Sequence, residues 1–171
     1  MKKFFSLLAV FILLFSLCAC DSLDNALDEL DDPKPKTFQV ENLSIELNDD
    51  FFRMDRLAKE FDFCISSEDI VIFGSRVDFA ENDLAGVSPW DYAEAFRYNM
   101  EQSTMSELTD LNGIPTMQYE AYDNDNEEQI VFIALYEASD CFWMLQFISE
   151  KEDYRENTPL IHQYAQSVKC K

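Results

Sequence analysis

Ile130-Val131-Phe132-Ile133-Ala134-Leu135-Tyr136 and Phe142-Trp143-Met144-Leu145-Gln146-Phe147-Ile148 decide the fold of this chain. Both runs are short and rich in β-branched and aromatic residues, which reads as strand. Successive side chains of a strand point to opposite faces of its sheet, and here both parities are apolar. Both faces must therefore be covered, which excludes an open sheet with one wet side.

Two segments can supply the covers. Ser88-Pro89-Trp90-Asp91 is a helix start: Ser88 can cap, Pro89 suits the first helical position, and the Asp91 carboxylate can reach back to the cap. The helix runs to about Glu101 and shows Pro89, Ala93, Phe96 and Met100 on one stripe, with Tyr92 beside it. A second helix starts near Thr158-Pro159 and aligns Leu160, Ile161, Tyr164, Ala165 and Val168. The expected fold class is α+β, an antiparallel sheet between helices.

Upstream, Phe38-Gln39-Val40 and Leu43-Ser44-Ile45-Glu46-Leu47 flank Glu41-Asn42, and the second run alternates as a half-buried hairpin strand does. Residues 61–65 and 70–77 read as two further strands around a Ser66 to Asp69 turn. Residues 107–111, 116–122 and 129–137 follow, with the acidic turn Asp123 to Glu128 before the last of them.

The N-terminus carries a different signal. Lys2 and Lys3 precede an apolar run from Phe4 to Leu17, and Leu17-Cys18-Ala19-Cys20 closes it. That tetrapeptide resembles a lipobox, in which the cysteine after the cut is acylated. The expectation is a lipoprotein signal peptide over 1–19 and lipidation at Cys20. As an uncleaved anchor the run would span only about 21 Å at about 1.5 Å per residue, short of a bilayer core. Residues 20–36 then form an acidic tether stopped by Asp31-Asp32-Pro33-Lys34-Pro35, and 37–171 form one domain.

Thirteen basic residues face 34 acidic ones, a net charge of −21, and the signal peptide contains only basic ones. Such a surface repels phosphates, so no nucleic acid is expected as a partner, and contact with anionic headgroups must come through the lipid. A protein partner would present a basic surface.

The element order resembles the PsbP-like fold, seen in small extracytoplasmic lipoproteins and in photosystem proteins. Leu47-Asn48-Asp49-Asp50-Phe51, Asp91-Tyr92-Ala93, Cys141-Phe142-Trp143 with Gln146-Phe147, Tyr154, and Ala165-Gln166-Ser167-Val168 look like its recurring pieces. The resemblance implies the fold and no enzymatic activity, with relatives acting as assembly or interaction modules.

Candidate chemistry is sparse. His162 is the sole histidine and lies off the apolar stripe of its helix, which reads as an exposed, non-catalytic residue. Asp123, Asp125, Glu127 and Glu128 invite a calcium reading, but Glu128 stands where an EF-hand loop needs its sixth-position Gly and Ala134 where it needs Glu. A solvated turn is expected there, with no metal and no cofactor elsewhere. Trp143 reads as core, whereas Trp90, near a helix start, is the candidate for an exposed partner contact.

Cys64, Cys141 and Cys170 remain once Cys20 is set aside. Cys141 opens a strand and Cys170 ends the final helix, so a helix returning antiparallel would bring the two together as a possible disulfide. The function expected is a membrane-anchored, extracytoplasmic, non-enzymatic interaction module. A ligand-binding or sensor subunit is the alternative and a hydrolase the second alternative; they require a pocket with converging polar groups or a cleft carboxylate of perturbed pKa.

Overall fold

The expected hairpin forms β1 (Lys36–Val40) and β2 (Leu43–Leu47), with Phe38 opposite Ile45. The computed structural model describes residues 34–54, 61–100 and 105–171. The expected signal peptide, the expected lipidation site Cys20 and nearly all of the expected tether lie outside the described residues. β1 begins at Lys36, one residue before the expected domain start, because Lys36 pairs with Leu47 and donates to the Phe51 carbonyl at 3.3 Å.

Leu43, Ile45 and Leu47 are buried while Ser44 and Glu46 face outward, so the alternation read in the sequence places one face of the hairpin in the core. A two-residue strand β3 (Phe52–Arg53) follows, then β4 (Phe63–Ser66) and β5 (Val71–Asp78). A short helix α1 (Phe79–Asn82) leads to α2 (Pro89–Asn99). Next come β6 (Thr109–Leu111), β7 (Ile114–Tyr122), β8 (Glu128–Glu137) and β9 (Cys141–Glu150), then helix α3 (Tyr154–Ser167) and a last strand β10 (Lys169–Cys170).

The large sheet has the order β3-β4-β5-β9-β8-β7-β6 and is antiparallel throughout. The two doubly apolar runs lie at its centre as β9 and β8, with Phe132 opposite Phe147 and Ala134 opposite Leu145. One parity of both strands, Phe132, Ala134, Tyr136, Cys141, Trp143, Leu145 and Phe147, packs against Ile161, Tyr164 and Ala165 of α3 and against the small sheet. The other parity, Val131, Ile133, Leu135 and Met144, packs with Met117 beneath Ala93 of α2. Each face thus has its own cover, as the double apolarity demands.

The small sheet, order β1-β2-β10, shares one face with α3. The sequence did not indicate this cover. Lys169 pairs with Ser44 and Cys170 with Leu43, so the chain end is a strand and not the frayed last turn of a helix. The helix also starts earlier than the Thr158-Pro159 signal. The Asp153 carbonyl accepts from the N–H groups of Glu156 and Asn157 at 2.9 Å each, and Asn157 Nδ2 donates to Ser149 Oγ at 2.9 Å. Pro159 then sits inside α3, one turn in, where its missing N–H removes a single backbone bond.

Gly74 allows the close fit of β4 on β5. Phe63 is its cross-strand partner, and the Phe63 ring lies over the glycine where any Cβ would stand. A glycine covered by an aromatic across the pair is a recurring way to keep twist and packing together.

Candidate functional site

The start of α2 is built as its residues dictate. The Asp91 N–H donates to Ser88 Oγ at 3.1 Å, and the Ser88 hydroxyl donates to Asp91 Oδ2 at 2.7 Å, which fixes the first turn. At the other end Arg97 pairs with Glu107 at 3.0 Å. On the inner face Ala93 is fully buried and the Tyr92 ring stacks on Phe142 with centroids 4.9 Å apart. The helix is therefore held rigidly, and its outward residues are fixed by its inward ones.

That outer face carries two aromatics. Trp90, singled out from the sequence, is 37% exposed, and Tyr98, eight residues on, is 89% exposed. With Glu94 between them they form one slanted stripe about 12 Å long at about 1.5 Å per residue. Asp91, Glu94 and Ala95 beside them are exposed as well. Sequence reading missed Tyr98, although the i, i+4, i+8 spacing from Trp90 was available. Phe52, in β3, and Tyr122, in β7, are also exposed.

A ring with a polar tip gives large contact area at small entropic cost, and its face attracts a cation. Carboxylates set between two such rings favour the same cation. The outer face of α2 thus has the chemistry to attract cationic groups.

The other sequence candidates lie apart from this stripe. His162 is half-buried and not exposed: its ring tilts against Phe132 at 5.2 Å between centroids, because its helix neighbours Ile161 and Ala165 pack in the core that holds Phe132. It lines a groove of about 350 Å³ with Thr109, Gln118, Tyr154 and Thr158. The Tyr154 hydroxyl donates to Gln118 Oε1 at 2.8 Å, and Thr109 and Thr116 pair their hydroxyls at 2.8 Å, so much of the polar lining satisfies itself. In the acidic turn, Asp123 Oδ1 accepts from the N–H groups of Asp125 and Glu127 at 2.9 and 2.8 Å. Lys151 bridges Glu120 and Glu128 at 3.2 and 2.9 Å, and its hydrogen bond holds the exposed Glu128 carboxyl below the usual range.

Trp143 is fully buried, as read from the sequence. Its indole N–H donates to Asn42 Oδ1 at 2.7 Å, while Asn42 Nδ2 donates to Asp140 Oδ1 at 3.0 Å and contacts Cys141 Sγ at 3.8 Å. Arg76 gathers Asp78, Asp140 and Glu41 around the same corner at 2.6, 2.8 and 3.3 Å. Cys64 and Cys141 are buried and Cys170 is half-buried, with no bond joining any two of them in this structure. Burial raises the Cys141 thiol pKa against the pull of Asn42 and Arg76, and burial together with the nearby Cys141 pushes Cys170 up to about 11.

No family model matches the chain, and no curated protein matches it. Solved structures do. Cyanobacterial PsbP, CyanoP from Synechocystis sp. PCC 6803, superposes with a TM-score of 0.55 at 10% identity, covering 81% of this chain and 94% of that one. A protein from Bacteroides thetaiotaomicron VPI-5482 gives 0.54 at 10% identity over 80% of this chain and 48% of its own. At such identities the likeness speaks for architecture only, and in architecture the chain is similar to the PsbP-like proteins.

Proposed function

We propose that this protein is a non-enzymatic interaction module, tethered by lipid on Cys20 at the outer face of the cytoplasmic membrane, that docks a basic protein through the outer face of α2. The observation that carries the reading is the stripe of Trp90 and Tyr98 across Glu94 on a helix whose opposite side is locked into the core. Aromatic anchors on a rigid element are where binding energy concentrates in protein interfaces. The acidic excess of the chain steers a positively charged partner toward it, and added salt weakens the encounter by screening that attraction. A ligand-binding role is the second reading, favoured by the groove beside His162.

The test places a photo-crosslinking residue at Ala95 in the full-length chain in its membrane, with Glu152 as the control position. A partner joined from Ala95 but not from Glu152, and lost in Trp90→Ala and Tyr98→Ala, is the expected result. Identical products from both positions, or products indifferent to both substitutions, would overturn the assignment to α2.

A further inference from the structure

We infer that Cys141 and Cys170 are joined by a disulfide in the extracytoplasmic compartment, so that β10 is fastened covalently to the first residue of β9. Three contacts bring the two segments together. The Lys171 N–H donates to the Asn42 carbonyl at 3.0 Å, the Ser139 N–H donates to the Lys171 carbonyl at 3.2 Å, and Asn42 Nδ2 contacts Cys141 Sγ at 3.8 Å. The residue after Cys170 is thus bonded to the residue two before Cys141, and both cysteines pack on the same core face.

Cys64 is excluded as a partner by the sheet itself. In β4, Phe63 and Ile65 belong to the core face that holds Cys141, and side chains alternate along a strand, so Cys64 points to the opposite face. One pair and one separate buried thiol result.

Cys170 is the point of entry. It lines a shallow groove with Ile114, Tyr136 and Val168, whereas Cys141 is fully buried. The Cys170 thiolate attacks a disulfide of an external thiol–disulfide oxidant, forming a mixed disulfide and releasing one oxidant thiolate. The Cys141 thiolate, beside Arg76 and Asn42, then attacks Cys170 Sγ and releases the second oxidant thiolate. Two electrons pass to the oxidant, and the two protein thiol protons end on its sulfurs. Because burial raises both thiol pKa values, the reaction is slow without a catalyst.

The experiment uses the full-length chain in its own membrane. Thiols are blocked with a first alkylating label in denaturant without reduction, then reduced and exposed to a second label before mass spectrometry. The expected pattern is the first label on Cys64 and the second on Cys141 and Cys170, with Cys170 moving to the first label in Cys141→Ser. Because Cys141 is buried and its substitution can impair folding, Cys170→Ser at the chain end provides the reciprocal variant. Closing a loop of about 30 residues also predicts a fall in melting midpoint of about 10 °C on reduction of the Cys64→Ser chain. The first label on both Cys141 and Cys170, or a linkage to Cys64, overturns the inference.

Discussion

The indole N–H of Trp143, at the centre of the large sheet, donates a 2.7 Å hydrogen bond to the side-chain carbonyl of Asn42, in the turn of the small sheet. The two residues lie 101 positions apart. Through its amide nitrogen Asn42 also reaches Asp140, and through its backbone carbonyl Lys171. One residue therefore satisfies a fully buried indole with its side chain and ties the turn of the small sheet to residues 140–143 and, through its backbone, to Lys171.

Asn42→Ala leaves that indole donor without a partner, and an unsatisfied buried donor costs about 2 kcal/mol. Urea unfolding should show this loss with an unchanged slope. Asp140→Ala removes two solvent-exposed contacts, to Asn42 and to Arg76, and should cost well under half as much. Equal losses in the two variants would place the stabilisation elsewhere.

Gly74→Ala should be among the most damaging small substitutions in the chain. The new methyl group would occupy the space of the Phe63 ring, which is buried in the core at the first pair of β4 with β5. Overpacking of this kind costs about 3 kcal/mol, and the companion change Phe63→Leu should recover part of it. Thermal unfolding of the single and double variants measures both.

Alkaline pH should destabilise the domain. Burial raises the pKa of Tyr136 well above the ordinary tyrosine value, Tyr164 to about 12, and Cys170 to about 11. All three are neutral when protonated, and the folded chain holds their protons more tightly than the unfolded one. Their stabilisation is complete below about pH 9, where the unfolded thiol starts to ionise, and is lost as pH rises toward 12. With the thiols kept reduced, the urea midpoint at pH 11 should lie about 1 M or more below that at pH 7. A flat profile across that window would contradict the burial of these groups.

Cys20→Ala should block maturation. Stable anchoring takes two or more acyl chains, and the thiol with the newly exposed amino group provides their attachment points. The variant should remain as unprocessed precursor and take up no labelled fatty acid. Continued labelling would end the lipoprotein reading.

The lines of the fold that rest on local pattern were legible in the sequence. Residues 130–136 and 142–148 are apolar on both parities, which requires two covered faces, and the structure places α2 on one and α3 with the small sheet on the other. Ser88, Pro89 and Asp91 contain the whole cap of α2, since capping depends only on residues three apart. Trp90, near the helix start, was legible as a candidate for an exposed residue.

What tertiary structure decided has no local signature. β3 and β10 are two residues long, too short to show any period, and exist because β4 and β2 offer them a hydrogen-bonding edge. The start of α3 at Tyr154 is set by Ser149 and Gln118 reaching Asn157 and Tyr154, against the proline signal five residues on. His162 meets Phe132, and Cys170 comes round to Cys141, only after that helix is seated. Periodicity reports which face of an element is buried, because burial repeats along the chain. Which distant residue lies against that face is fixed by packing between elements, and a single sequence carries no repeat from which to read it.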